Sequence, residues 1–438
     1  MILSVPQKRC CTSMKVTKLK IDNYGGFDKL ELDFNPGINV LTGENGAGKS
    51  TVLRAVAHML NLFTYRLAET KNVKLSDASI KNGENYTSVS IACDGSRGAV
   101  SWSSVRARTG KLAPVKSHLE ELNQYVRNLK ADYTESPESV NFPVIAYYPT
   151  SRTWFDIPQR IRSQHEFSPL HTYAGNPESG VDFRLFFEWF RQRQERENNH
   201  KLRLYTEGNA SLAESWQDGG LKAVRRAFSC FFKNYTRMSV ETAPLRLEIC
   251  KEEDKLSFQQ LSDGEKALLS LVADIAFRLY LANPNMEKTS EGEGIILIDE
   301  IELHLHPAWQ KNVIPNLQKA FPNCQFIIST HSPLVLNRIE KGKSYYLKNA
   351  RGNISVKSMG SQYGYRPETV MSEGMGGSGV ELRPEGVSQA LKSIYNAIDG
   401  NQFEKAHGLL DKLSSVISGD AELTRINMLL KRKELLRR

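Results

Sequence analysis

Gly43-Glu44-Asn45-Gly46-Ala47-Gly48-Lys49-Ser50 fills every fixed position of the pattern G-x-x-x-x-G-K-[ST]. Ahead of it, Ile38-Asn39-Val40-Leu41 is a short run of the kind a buried strand makes. Behind it, Ser50-Thr51-Val52-Leu53-Arg54-Ala55-Val56 has helical spacing. Strand, loop and helix in that order predict a phosphate cradle. The glycines let the backbone wrap closely around phosphate oxygens, and successive amides and the helix N-terminus face the anion. Gly43, Asn45, Gly46, Ala47, Gly48, Lys49, Ser50 and Thr51 are therefore the candidate nucleotide-binding residues. Lys49 would reach the β- and γ-phosphates, and the Ser50 hydroxyl would ligate Mg²⁺.

Composition sets the frame around this loop. At 438 residues the chain has room for two or three domains and a substantial core. Hydrophobic residues make up 40 % and charged residues 24 %, an ordinary globular balance. The formal net charge of +9 is compatible with a nucleic-acid partner without requiring one. No apolar run approaches the ~18–20 residues of a spanning helix. Met1 to Ser13 carry Lys8 and Arg9 with no apolar stretch after them, unlike a signal peptide. The expectation is a cytoplasmic chain without a membrane partner, whose fold starts near Met14. The six cysteines (Cys10, Cys11, Cys93, Cys230, Cys250, Cys324) form no C-x-x-C pair and read as reduced thiols.

Val16 to Ile21 and Leu30 to Phe34 alternate like two strands. Residues 66–85 read as a loop, and Tyr86 to Cys93 with Ala99 to Trp102 as a hairpin. Helical spacing covers Val115 to Ala131, Val181 to Asn198, Leu221 to Phe232, Gly264 to Leu281 and Pro307 to Phe321. Val144 to Tyr148, Ile295 to Ile298 and Gln325 to Ser329 read as buried strands. Their alternation with helices points to a parallel sheet. The helix from Val181 sets Phe183, Phe186, Phe187 and Phe190 against Arg191, Arg193 and Arg196. Two readings stand: aromatic core under a solvated basic face, or a nucleic-acid surface. Past Asn353 the chain thins to a glycine-rich joint at Ser372–Gly379. A helical hairpin follows, Val387 to Ile398 and Phe403 to Val416, and then a basic tail.

Ile295-Ile296-Leu297-Ile298-Asp299-Glu300 delivers two carboxylates from the end of a buried strand. Paired with the phosphate loop, Asp299 is the expected Mg²⁺ ligand and Glu300 the base that polarises an attacking water. Leu261-Ser262-Asp263-Gly264-Glu265 opens a long helix, a second anion-binding N-terminus. Glu302, His304 and His306 follow the carboxylate pair, but two histidines without a further ligand cluster nearby argue against a metal site.

Together with Ser329-Thr330-His331-Ser332, these motifs resemble the ATP-binding-cassette (ABC) ATPase heads, in the branch of the SMC-like, RecF-like and overcoming-lysogenization-defect proteins. Over about residues 14–350 the motifs keep the order of that family. The resemblance implies an α/β fold: an ABC-type P-loop NTPase head with an inserted mostly helical subdomain and a C-terminal helical extension. It implies ATP and Mg²⁺ as cofactors and ATPase activity. His331 would sense the γ-phosphate, and Ser262 and Gly264 would complete the site of another protomer, making a homodimer or higher oligomer. The glutamine-loop residue stays open, with Gln159 and Gln164 as candidates. No coiled coil fills residues 51–260, and residues 350–438 contain no D-x-D.

With Tyr147-Tyr148-Pro149-Thr150-Ser151-Arg152, Trp189-Phe190 and Asp299-Glu300-Ile301-Glu302-Leu303-His304-Leu305-His306-Pro307, the whole resembles the ATPase of Septu anti-phage systems, an outline that retron-associated ATPases share. That resemblance implies a separate HNH nuclease as partner, governed by nucleotide state. A stand-alone SMC/RecF-like DNA-binding ATPase of repair type is the alternative, and DNA or another nucleic acid is an open partner. The expected domains are a flexible extension 1–13, a first head half 14–152, a helical insertion 153–235, a second head half 236–350, and a C-terminal helical extension 351–438. That extension is either a partner dock or a cap on the head.

Overall fold

The computed structural model describes residues 13–70, 72, 74–151, 167–173, 183–242, 244–350, 353–374, 384–417 and 420–435. Gln159, Gln164, Arg152, most of the N-terminal extension, part of the glycine-rich joint and the last three residues lie outside them. Contacts divide the chain into two compact units, Met1–Gly376 and Gly377–Arg438.

The first unit opens with β1 (Met14–Tyr24), β2 (Phe27–Asp33) and β3 (Ile38–Gly43), then α1 (Lys49–Ala68), β4 (Tyr86–Gly95), β5 (Gly98–Ala107), α2 (Glu120–Glu135) and β6 (Val144–Tyr148). An antiparallel sheet in the order β2-β1-β4-β5 buries alternate residues. The Trp102 indole N–H in β5 donates to the Met59 carbonyl of α1 at 3.0 Å, pinning sheet to helix. The helix expected from Val115 starts only at Glu120. His118 exchanges backbone hydrogen bonds with Ser103 of β5, and this pairing ties it to the sheet edge ahead of the helix.

Next come α3 (Phe183–Thr206), α4 (Ala210–Ser215) and α5 (Gly219–Phe231), then the antiparallel β7 (Tyr235–Thr242), β8 (Leu245–Lys251) and β9 (Asp254–Ser257). Phe183, Phe186, Phe187 and Phe190 are all buried, so the aromatic side of α3 is core. Arg193 pairs with Asp218 at 3.3 Å and lies over the Tyr280 ring. α6 (Asp263–Ala282) is apolar nearly all round and runs through the interior. Its buried Asp274 accepts from Tyr148 Oη at the end of β6 and pairs with Arg278, both at 2.7 Å.

The chain continues through β10 (Gly294–Ile298), α7 (Pro307–Gln310), α8 (Val313–Ala320), β11 (Cys324–Ser329), α9 (Pro333–Leu336), β12 (Gly342–Ala350), β13 (Asn353–Met359) and α10 (Pro367–Thr369). The helix expected over Pro307–Phe321 is broken in two. Pro315 has no amide to donate to the Lys311 carbonyl and its ring crowds that group, so the ladder is interrupted there, and the Asn312 side-chain amide donates to the Ala308 carbonyl at 3.0 Å. The central sheet has the order β13-β12-β3-β11-β10-β6. Five of its strands are parallel, and β13, lying past residue 350, pairs antiparallel at the edge. Parallel register brings the C-terminal ends of β3, β11 and β10 to one edge, where open α/β sheets bind ligands.

The second unit holds α11 (Glu385–Asp399), α12 (Phe403–Val416) and α13 (Ala421–Leu435) around a core of its own, including Ile394, Ile398, Leu410, Ile426 and Leu430. The expected two-helix hairpin is thus a three-helix unit, with Arg432 and Lys433 in the last turn of α13. Among the described residues no helix is long and apolar enough to cross a membrane.

Candidate nucleotide site

The phosphate loop leaves β3 at Gly43, whose φ of 144° is open to glycine and strained for other residues. A Cβ there would overlap the Leu347 carbonyl oxygen of the neighbouring β12, so strand pairing itself requires glycine. Gly46 and Gly48 also have positive φ, 74° and 91°, and Gly48 caps α1. Asn45 is exposed, Ala47 buried, and Ser50 and Thr51 half-buried in the first turn of α1. Lys49 is 5 % exposed and folds back over the loop, donating to the carbonyls of Gly43 at 3.0 Å and Glu44 at 2.9 Å. Burial holds its ammonium below the usual lysine range, while the carboxylates of Glu300, Asp299 and Glu302 oppose that shift.

Those carboxylates come from the end of β10. Asp299 is buried and its amide donates to the Tyr148 carbonyl at 2.9 Å. Ser329, the last residue of β11, staples the pair: its hydroxyl donates to Asp299 Oδ1 and accepts from the Glu300 amide at 2.7 Å. Glu300 is held at φ 47°, a left-handed conformation that a non-glycine residue keeps only when its surroundings impose it. His331 follows two residues after Ser329. Burial and the Lys49 charge hold its imidazole below the usual histidine range, against the pull of Glu302, Glu300 and Asp299. Lys49, Asp299, Glu300 and His331 therefore form one electrostatic cluster.

Ser262 and Gly264 sit elsewhere, at the N-terminus of α6. Ser262 is exposed and caps the helix: its hydroxyl donates to Glu265 Oε2 at 2.8 Å and accepts from the Glu265 amide at 3.3 Å. Burial works against the Glu265 charge, but hydrogen bonds from Tyr235, the Ser262 amide and Lys251 hold its carboxyl down at about 2. Gly264 is buried, and a Cβ on it would overlap the His304 carbonyl oxygen. The helix N-terminus thus packs on the segment that follows Glu300, and Ser262 makes no hydrogen bond to the phosphate loop among the described residues.

One part of the site escaped sequence reasoning. A cavity of about 290 Å³ opens beside the loop, lined among others by Tyr24, Thr51, Arg54, His58, Asn61 and Ser76. Thr51, Arg54, His58 and Asn61 recur along one face of α1. That polar stripe in an otherwise apolar helix was the available signal. Ser329 and Glu302 were also missed as site residues, because their partners lie about 30 residues away in the chain and meet them only in the fold.

The family described as an AAA domain matches residues 18–241, just over half of the chain. The Retron Ec83 probable ATPase of Escherichia coli is 31 % identical over 395 residues, covering 77 % of this chain and 72 % of the relative. The Septu protein PtuA of Bacillus thuringiensis is 25 % identical over 411 residues, covering 92 % of this chain and 94 % of the relative. The chain belongs to the family of the Septu PtuA and retron ATPases. Among solved structures, an SMC head bound to the C-winged helix domain of ScpA matches with 17 % identity, covering 78 % of this chain and 97 % of its own, at a TM-score of 0.47. Family membership makes this chain a defence-associated ATPase, built on an α/β fold.

Proposed function

We propose that the chain binds and hydrolyses ATP with Mg²⁺ and, through its nucleotide state, controls a separate HNH nuclease in an anti-phage complex. The observation that carries the catalytic half is the cluster of Lys49, Asp299, Glu300 and His331 at one edge of the parallel sheet. The similarity to Septu and retron ATPases supports the defence setting.

Lys49 and the loop amides hold the β- and γ-phosphates, and the cavity beside Thr51 takes the nucleoside end. The Ser50 hydroxyl and the Asp299 carboxylate are hard oxygen donors that fit Mg²⁺, which would neutralise phosphate charge. Glu300 takes the proton from the attacking water as its oxygen bonds to the γ-phosphorus. The bond to the β–γ bridging oxygen breaks, and ADP leaves with that oxygen. His331, neutral at pH 7, contacts the γ-phosphate oxygens. Ser262 and Gly264 present the N-terminus of α6 to the γ-phosphate held by a second copy, so the functional unit is at least a dimer.

Glu300→Gln tests the chemistry. ATP affinity should stay within about threefold, turnover should drop by about 10²–10⁴-fold, and ATP should accumulate a closed dimer visible by light scattering. Unchanged hydrolysis would remove Glu300 from the mechanism. Co-expression with a neighbouring HNH frame tests the regulation: a stable complex supports it, whereas a clean homodimer stimulated by DNA would favour a stand-alone repair-type ATPase.

A further inference from the structure

We propose that Glu302 is a positioning residue for His331, an inference that rests on the nucleotide-site reading above. The segment after Glu300 runs beneath the loop that carries His331, and the Glu302 carboxylate uses both oxygens on that loop. Oε2 accepts from Thr330 Oγ1 at 2.7 Å, and Oε1 accepts from the His331 amide. Thr330 Oγ1 in turn accepts from the Ser332 amide at 3.0 Å. A second side chain completes the clamp. Gln310 accepts from Ser332 Oγ at 2.7 Å and donates to the Leu305 carbonyl at 2.8 Å. Thr330, His331 and Ser332 are thus each tied to the stretch between Glu302 and Gln310.

Three features make this more than incidental packing. Bonds from a carboxylate to an amide and a hydroxyl are charge-assisted, and two from one group fix orientation as well as distance. The clamp is anchored at a strained place: Glu300 and His304, on either side of Glu302, both lie in the left-handed region, at φ 47° and 64°. And Glu302 faces the charges of the site, acting on both Lys49 and His331. The same contacts redirect the Glu302, His304, His306 run away from metal binding. Glu302 has both oxygens engaged, and His306 Nδ1 accepts from the Ala308 amide at 3.3 Å as the cap of α7.

A misplaced sensor loop lowers turnover without weakening ground-state binding, because the histidine would act on charge that develops in the transition state. ATP turnover and the affinity for a non-hydrolysable ATP analogue are measured on the full chain for four variants. Glu302→Ala should lower kcat about 10–100-fold with analogue affinity within about threefold of wild type. Glu302→Gln keeps an acceptor for the His331 amide and a side-chain amide for Thr330, and should restore kcat to within about fivefold. Thr330→Val, which removes one hydroxyl with little change of shape, should give an intermediate loss and keeps the test alive should Glu302→Ala fail to fold. His331→Ala shows whether the sensor matters at all. Full turnover in Glu302→Ala or Thr330→Val, or a Glu302→Gln as inactive as Glu302→Ala, overturns the positioning role. Full turnover in His331→Ala overturns the underlying site reading instead.

Discussion

His58 is a poorly accommodated polar side chain near the candidate site. It lines the cavity beside α1, and its Nε2 is buried without a hydrogen-bond partner among the described residues. Burial pushes its pKa down to about 4 from an ordinary 6.5. The sign follows from proton counting. Between pH 6.5 and 4 the unfolded chain protonates this histidine and the folded chain does not, so stability falls as pH drops through that window. The 6.5-to-4 shift is worth up to about 3 kcal/mol. His58→Gln removes the titration while keeping a polar side chain. In urea unfolding at pH 7 and pH 4.5, wild type should lose about 2 kcal/mol more than the variant. Equal losses in the two proteins would mean that His58 is solvated in solution.

Among the elements, the N-terminus of α6 carries the clearest structural demand. Gly264 packs directly on the His304 carbonyl, so Gly264→Ala must push the helix off the segment that follows Glu300. Overpacking of this kind costs about 1–3 kcal/mol. Because Lys49 and its loop are untouched, ATP binding to the monomer should survive. In a Glu300→Gln background, ATP-driven dimerisation measured by sedimentation should weaken at least about tenfold, since a displaced N-terminus no longer presents its amides to the neighbouring phosphate. Dimerisation at full strength would separate Gly264 from the composite site. The contrast between Gly264 and Glu302 shows what was legible in the sequence. Gly264, Lys49, Asp299 and Glu300 belong to patterns whose spacing is fixed by one strand, one loop or one helix start. Glu302, Ser329 and the polar face of α1 gain their meaning from groups brought in by other strands and loops. In the fold, apolar runs announced β6, β10 and β11, and Pro315, inside the run read as one helix, was the legible sign of the break between α7 and α8. The third C-terminal helix was obscured by its basic residues, although Leu423, Ile426 and Leu430 supply a buried face.

For the whole molecule, the division at Gly376–Gly377 turns the partner question into an experiment. Each unit has its own hydrophobic core. All residues of the candidate nucleotide site lie in the first unit. We expect a chain ending at Gly377 to keep ATP affinity within about threefold of the full chain and a cooperative thermal transition, while losing co-purification with the proposed HNH nuclease. The three helices of the second unit are then the docking element. Ile426→Asp checks this in the intact chain. A carboxylate in that small core costs several kcal/mol unless it is protonated, which should unfold the second unit alone. Its effect on capture should match that of the truncation. Capture of the partner by both variants would move the dock into the first unit, with the exposed far end of α3, at Leu202 and Tyr205, as the next surface to mutate.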